Sequence, residues 1–167
     1  MDLLTIAREY EASTKYASDI IAALSISDLD KHQPDGWSPR QVIHHLADSE
    51  AQSYARLRRL VAEPTGTIIQ GYDESAWAES EILGYKELPV ENSIAVFLAV
   101  RAASLDILKR LEESDLQRTG EHTESGPFSV ERWVKGYTNH PVDHGNQIKE
   151  ALAWIRRVSH SAEGNEF

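Results

Sequence analysis

The chain has 167 residues, which fits one domain of the usual ~100–200 residues. It contains no cysteine, so disulfides, thiolate zinc sites and cysteine nucleophiles are excluded, and a site for a soft metal has to be built from histidine. A formal net charge of −10 repels phosphate backbones and anionic membranes, so we expect neither nucleic acid nor a membrane as a partner. The first residues lack a signal-peptide pattern, and no apolar run approaches the ~20 residues of a membrane span, so we expect a cytoplasmic protein.

The first part of the chain predicts two long helices. Apolar residues recur with a helical period over residues 3–24. A turn at 30–37 leads to Ser38, which is followed by proline and, three residues on, by glutamine. This capping-box pattern predicts a helix over 39–61, with His45 on the inward side of its second turn.

The middle of the chain predicts a long link and a third helix. Residues 64–89 carry three glycines and two prolines without a sustained period. We expect this segment to pack across one mouth of a helical bundle, because long links in compact domains are usually functional or folded over something. An apolar stripe then predicts a helix over 90–113, with Leu98 and Ala102 facing inward and Arg101 available to water.

The last part predicts a second irregular link and a fourth helix. The link covers 120–127, with a tight hairpin at Ser125 and Gly126, and Ser129 caps the helix that follows. Four long helices with no convincing strand pattern predict an all-α four-helix bundle with a long crossover between helices two and three. We expect one domain over residues 1–160 and a polar C-terminal tail at 161–167. A bundle of this size is compatible with a homodimer.

Two histidines lie four residues apart in the last helix. His140 and His144 share one side of that helix, with Cβ atoms roughly 5–6 Å apart, so two imidazoles can converge on one metal ion. The pattern alone leaves open a plainer alternative, in which one histidine is packed and the other is partly wet. A third ligand has to come from elsewhere. His45 is modestly favoured over His44, because His45 shares its stripe with Val42.

The backbone around this pair breaks the usual rules for helices. Gly136, Pro141 and Gly145 together cost roughly 5 kcal/mol relative to alanine, and unexplained costs of this kind tend to occur at functional sites. Pro141 has no N–H for the carbonyl of Tyr137, so we expect a kink and a free acceptor beside His140. The alternative is that Pro141 begins a new helix with His140 as its cap, which would distort the pair.

The residues around His140 and His144 disfavour one class of metalloenzyme and suggest partners for the ring nitrogens. The glutamate of a zincin peptidase is missing, because Pro141 follows His140. Ligating histidines usually donate their second ring nitrogen to a carboxylate, a carbonyl or water. Asp48, Glu50 and Asp143 are the nearest carboxylates by sequence, although each is more often a solvated helix residue.

Four segments in order resemble the DinB/YfiT-like superfamily of four-helix metalloproteins, and its YfiT-like branch in particular. These segments are 36–49 at the start of helix two, 72–78 in the long link, 122–126 in the second link and 140–144 in the last helix. Each segment alone is modest, whereas four in the right order are specific, and together they span most of the chain.

The resemblance implies one divalent ion, nickel or zinc, held by three histidines that fall on His45, His140 and His144. Pro141 and Asp143 depart from the glycine and the further histidine expected there. Members of the superfamily resemble either thiol S-transferases that use low-molecular-weight thiols such as bacillithiol or mycothiol, or metal-dependent hydrolases.

We therefore expect a metal-dependent transferase in which the ion activates a low-molecular-weight thiol cosubstrate toward a small-molecule substrate. The absence of an evident general base favours this function over its first alternative, metal-dependent hydrolysis by an activated water. The second alternative is a non-catalytic metal-binding or stress-associated module.

Overall fold

The computed structural model describes residues 2–163 and places most of them in helices. In chain order the elements are α1 (Leu3–Ala22), α2 (Pro39–Ala62), β1 (Thr67–Ile69), α3 (Glu74–Glu79), α4 (Glu91–Leu108), β2 (Thr119–His122), β3 (Gly126–Ser129) and α5 (Val130–Glu163). Short 3-10 turns occupy Ile26–Asp28 and Glu113–Gln117. No helix of the described part is long and apolar enough to cross a membrane.

Side-chain caps fix where the long helices begin. Asp2 accepts hydrogen bonds from the backbone of Leu4 and Thr5 at the start of α1. The capping box predicted for α2 is present, because the Ser38 and Gln41 side chains each bond the other's backbone N–H. At the start of α5, the Ser129 hydroxyl accepts from the backbone N–H of Arg132. These bonds satisfy donors that a helix N-terminus otherwise leaves free.

The four long helices of the described chain pack as a bundle in which α5 lies against α1 and α2, and α4 lies against α1 and α2. Two buried apolar clusters fill it. Helix α5 contributes Trp133, Val134 and Tyr137 to one cluster and Ile148 to the other. The turns of α5 that carry the histidine pair therefore lie between the two clusters.

The structure also contains a small three-stranded sheet, for which the sequence shows no convincing pattern. Strand β1 pairs in parallel with β2, and β2 pairs antiparallel with β3 through the hairpin expected at Ser125 and Gly126. These strands have only three or four residues, too few for an apolar alternation to be recognised. The pairing of β1 with β2 also joins segments about 50 residues apart, which local patterns do not report.

Helix α4 differs from the prediction in its length and in the face that it buries. It ends at Leu108 rather than near residue 113, because the Asp115 side chain accepts from the backbone N–H of Glu112 and begins a separate turn. Leu98 is 41% exposed, whereas Arg101, expected in water, is 1% exposed. The inward stripe consists of Phe97, Arg101, Ser104 and Leu108.

Near the C-terminus, α5 continues through Glu163. The polar tail predicted at 161–167 therefore begins inside this helix, and its last four residues lie outside the described part of the chain.

Candidate metal centre

The structure brings the three predicted ligands together. His45 extends from α2, and His140 and His144 extend from successive turns of α5. The Nε2 atom of His140 lies 3.1 Å from that of His45 and 3.1 Å from that of His144. One ligand atom from each residue falls within 4.8 Å of the others. The three imidazoles thus point at a common centre.

The two 3.1 Å distances fit a divalent metal ion better than a pair of hydrogen bonds. Metal–nitrogen bonds of about 2.0–2.1 Å, at N–metal–N angles between the octahedral and tetrahedral values, place neighbouring donors about 2.8–3.4 Å apart. Each Nε2 atom, in contrast, either carries one proton or offers one lone pair. The Nε2 atom of His140 therefore cannot make ordinary hydrogen bonds to both of its neighbours. The donor set suits a nitrogen-binding ion.

All three imidazoles are held in the neutral form that binds metals. Burial, and then the neighbouring His144, lower the pKa of His45 to about 3. Burial is also the largest cause that places the pKa of His140 well below, and that of His144 below, the ordinary value of 6.5. A neutral ring keeps a lone pair for the ion at neutral pH.

The second ring nitrogens do not bond the carboxylates that the sequence suggested. Nδ1 of His144 donates to Oε1 of Gln147 at 2.8 Å, which leaves its Nε2 atom free to act as a ligand. Nδ1 of His45 and of His140 is buried without a hydrogen-bond partner in the described structure. The three suggested carboxylates bond elsewhere or lie in water. Asp48 accepts from Tyr85, Glu50 pairs with Arg101, and Asp143 is exposed.

Trp37, which we did not predict as part of the site, forms one wall of it. Its ring centroid lies 5.1 Å from that of His45 in an edge contact and 6.5 Å from that of His144 in a stacked one. The residue directly precedes the Ser38 cap of α2, so the same local signal that begins the helix also places the indole. An indole at this distance shields the imidazoles from water on that side.

The neighbouring His44 takes no part in the cluster. Its ring nitrogens lie 2.8 Å from Oγ of Ser93 and 3.1 Å from the carbonyl oxygen of Leu88. The stripe argument therefore chose the histidine that faces His140.

The carbonyl freed by Pro141 is taken by a buried arginine. Helix α5 is continuous through Pro141, so the alternative of a new helix starting there is excluded. Nη1 of Arg101 donates to the carbonyl of Tyr137 at 2.5 Å and to Oε1 of Glu50 at 3.0 Å. The expected free acceptor beside His140 thus exists, and a side chain of α4 satisfies it.

Arg101 also ties α1 into the same cluster. Its guanidinium donates to the backbone carbonyl of Tyr10 and to the hydroxyls of Ser13 and Thr14, all at 2.7–2.8 Å. It lies 3.4 Å from the centroid of the Tyr10 ring. One buried cation on α4 therefore bonds to α1, α2 and α5, within one helical turn of His140.

A cavity of about 230 Å³ opens beside His140, and we call it the His140 cavity. Its lining residues are Ser49, Arg56, Glu74, Phe128, Arg132, Gly136, Tyr137 and His140. Glu74 comes from the long link between helices two and three, and burial, its largest perturbation, raises the pKa of its carboxyl group. We did not predict Glu74 as part of the site, because only the folded link brings it to the cavity beside His140.

Comparisons with known proteins agree with this geometry. The sequence model of the DinB superfamily matches residues 9–148. The chain belongs to the DinB superfamily. A protein of Oceanobacillus iheyensis named "Putative metal-dependent hydrolase" is 34% identical over 137 residues, which are 81% of this chain and 77% of that protein. A Bacillus mycoides protein of the same description is 34% identical over 141 residues, 79% of each chain.

Solved structures confirm the four-helix bundle of this DinB superfamily member. YfiT from Bacillus subtilis, described as a probable metal-dependent hydrolase with an unusual four-helix bundle topology, superimposes with a TM-score of 0.81 at 26% identity. The match covers 92% of this chain and 87% of YfiT. TT2238, a four-helix bundle protein, has a TM-score of 0.62 at 19% identity, over 89% of this chain and 99% of that one. The second likeness shows the fold alone.

Proposed function

We propose that this DinB superfamily protein is a metal-dependent transferase, in which a nickel or zinc ion on His45, His140 and His144 activates a low-molecular-weight thiol. The observation that carries the proposal is the convergence of three neutral imidazoles, with Nε2 of His140 lying 3.1 Å from Nε2 of both His45 and His144, beside a cavity lined by His140. Three protein ligands leave coordination positions for a substrate, as in catalytic rather than structural sites.

The bound ion would supply charge that lowers the pKa of a thiol reaching it. The residues of the chain do the rest. Gln147 fixes the tautomer of His144, Trp37 limits water on one side, and the His140 cavity admits the small substrate. In the reaction, the thiol sulfur bonds to an electrophilic carbon, the leaving group departs with its electron pair, and the carboxylate of Glu74 can accept the thiol proton.

Glu74 also favours a second candidate function, metal-dependent hydrolysis. A carboxylate with a raised pKa in the cavity that His140 lines suits a general base for water, whereas the sequence alone shows no evident base. The names of the Oceanobacillus and Bacillus relatives agree with this candidate. In that case Glu74 takes a proton from water, whose oxygen bonds to an ester or amide carbonyl carbon. The C–O or C–N bond then breaks, and the leaving alcohol or amine receives the proton from Glu74.

One set of assays separates the candidates. Full-length protein purified without a histidine tag is loaded with nickel or zinc and given 1-chloro-2,4-dinitrobenzene with bacillithiol, cysteine or 2-mercaptoethanol. We expect metal-dependent thioether formation that His140→Ala abolishes and His32→Ala leaves unchanged. Ester cleavage without any thiol, with no thioether formed, would instead establish the hydrolase. Stoichiometric metal with neither activity would leave a metal-binding module.

Elemental analysis tests the metal itself. We expect about one ion per chain after remetallation, and its loss in His45→Ala, His140→Ala and His144→Ala variants. Wild-type protein without bound metal after this treatment would overturn both catalytic candidates together.

A further inference from the structure

The His140 cavity combines a candidate metal ligand with two arginines from different helices. Arg56 extends from α2 and Arg132 from α5. Neither forms an ion pair with a carboxylate of the described residues. Both guanidiniums thus lack a direct carboxylate contact in a chain with 27 acidic and 17 basic residues, although Glu74 of the same cavity interacts electrostatically with Arg56. Such a pair at a cavity beside a reactive centre is suited to an anion.

Arg132 is held so that one edge of its guanidinium stays available. Nη1 donates to the carbonyl oxygen of Pro127 at 2.9 Å, and the guanidinium lies 5.2 Å from the centroid of the Phe128 ring. Nε and Nη2 make no hydrogen bond within residues 2–163. These two nitrogens form the edge that binds a carboxylate with two parallel bonds.

Arg56 is fixed from the opposite helix. Nη1 donates to the hydroxyl of Tyr137 and Nη2 donates to the carbonyl of Gln70, both at 2.8 Å. Each of these nitrogens carries a second N–H. Burial raises the pKa of Tyr137 to about 12, so its hydroxyl stays protonated and keeps a proton to donate. Arg56 thus places positive charge and donors in the cavity, at Tyr137, whose backbone lies one helical turn before His140.

We propose that the His140 cavity binds a small carboxylate-bearing substrate, with Arg132 as the bidentate anchor and Arg56 as the second cation. The volume, about 230 Å³, lies below the ~300–1,000 Å³ of sites for drug-sized ligands and suits a small acid. Glu74 lines the same cavity. Its negative charge repels the bound anion and disfavours ligands that place their carboxylate next to Glu74. That the bound molecule is a substrate rests on the proposed function. That it carries negative charge rests on the two arginines alone.

Two thiols that differ in charge test the site during turnover. Mercaptosuccinate carries two carboxylates, whereas 2-mercaptoethanol carries none. In Arg132→Gln we expect the KM for mercaptosuccinate to rise about tenfold or more, as for a lost charge-assisted pair, and the KM for 2-mercaptoethanol to change less than about twofold. Lys135→Gln, which removes a cation from α5 that pairs with Glu131, serves as the matched control.

Equilibrium binding tests the site without turnover. Calorimetry measures succinate binding to the metal-free, full-length protein, where no ion can recruit the acid. We expect measurable binding that Arg132→Gln and Arg56→Gln weaken about tenfold, that Glu74→Gln strengthens, and that Arg58→Gln leaves unchanged. Arg58 is on the same helix as Arg56, but its guanidinium lies on the Tyr54 ring at 3.1 Å and does not line the cavity.

The outcomes separate this inference from the proposed function. Arginine-dependent succinate binding without any turnover supports the carboxylate site and counts against the transferase and the hydrolase. Thiol transfer in which Arg132→Gln and Lys135→Gln behave alike toward both thiols supports the transferase and overturns the carboxylate site. If Arg132→Gln fails to fold by circular dichroism, Arg132→Lys replaces it. The lysine variant keeps the charge but loses the bidentate edge, and an unchanged succinate affinity would again count against the anchor.

Discussion

Two buried polar clusters lie one helical turn apart on α5, and they differ in how their atoms are satisfied. In the first, the Arg101 guanidinium meets a carboxylate, two backbone carbonyls and two hydroxyls. In the second, three imidazoles face one another with converging lone pairs and no opposite charge. The five N–H donors of Arg101 all have acceptors within the protein, although Oε2 of Glu50 has no partner, whereas the lone pairs of the second cluster lack a cation. A buried cation with a full set of acceptors marks a structural cluster, and converging lone pairs without a cation mark a binding site.

The largest expected effect breaks the structural cluster. Arg101→Met leaves the Glu50 carboxylate buried without its cation, so we expect metal-free protein to lose about 3–5 kcal/mol of unfolding free energy. His45→Ala should cost only about 1–2 kcal/mol, because it removes a ring whose Nδ1 has no partner. Urea denaturation measures both. Combining Arg101→Met with Glu50→Gln should recover part of the loss, and equal costs for Arg101→Met and His45→Ala would refute the distinction between the clusters.

The second prediction completes the histidine cluster. At a free metal concentration a thousand times Kd, nickel or zinc should stabilise the wild type by about 4 kcal/mol. Differential scanning calorimetry should show the rise in Tm, and His140→Ala should remove it. His32→Ala is the control, since His32 lies outside the cluster and bonds the Gln33 carbonyl. A metal-induced rise that survives in His140→Ala would place the ion elsewhere.

The third prediction uses pH to separate the clusters in metal-free protein. The folded-state pKa of His45, about 3, lies below the unfolded value near 6.5. Between these two pKa values the unfolded state therefore binds more protons than the folded state, and stability falls as pH decreases. Between pH 6.5 and 5, each histidine that stays neutral in the folded state lowers the free energy of unfolding by about 2 kcal/mol.

The measurement for this prediction is the difference between wild type and His45→Gln in urea midpoints across that pH range. The raised pKa of Glu50 acts in the opposite direction, and it cancels in this difference because both proteins contain it. Parallel pH profiles for the two proteins would mean that His45 titrates normally in the folded state.

The sequence predicted the histidine cluster better than the arginine cluster, for a physical reason. The i, i+4 spacing and the capping box are local, so they place His140, His144 and His45 from short segments. Helix α4, in contrast, is apolar on most of its surface, so periodicity does not define which face is buried. Arg101 was therefore expected in water, and only its partners on three other segments explain its burial.

The three helix-breaking residues of α5 also have different causes. A Cβ atom at Gly145 would lie 2.9 Å from Ile20 and 3.0 Å from Tyr16, so this glycine allows the close approach of α1. A Cβ atom at Gly136 meets nothing within 4 Å, and this glycine lines the His140 cavity. Pro141 frees a carbonyl for Arg101. The summed helix-propensity cost of these three residues correctly indicated the region of the metal centre, although the part due to Gly145 is explained by helix packing.

The smallest expected effect links the two clusters through Pro141. Arg101 donates to the Tyr137 carbonyl that lacks a backbone donor in the helix. Pro141→Ala restores a backbone N–H for that carbonyl. Arg101→Lys should therefore cost about 1 kcal/mol less in the Pro141→Ala background than in the wild type, a coupling that a double-mutant cycle resolves by urea denaturation.

Gly136→Ala supplies the matched background for this cycle, because it improves helix propensity in the same helix without adding a donor near Tyr137. In that background Arg101→Lys should cost as much as in the wild type. If the cost is the same in all three backgrounds, Arg101 does not replace the missing donor, and its burial is explained by Glu50 and α1 alone. If only the Pro141→Ala background lowers it, the structural cluster also holds the turn of α5 that presents His140 to the metal.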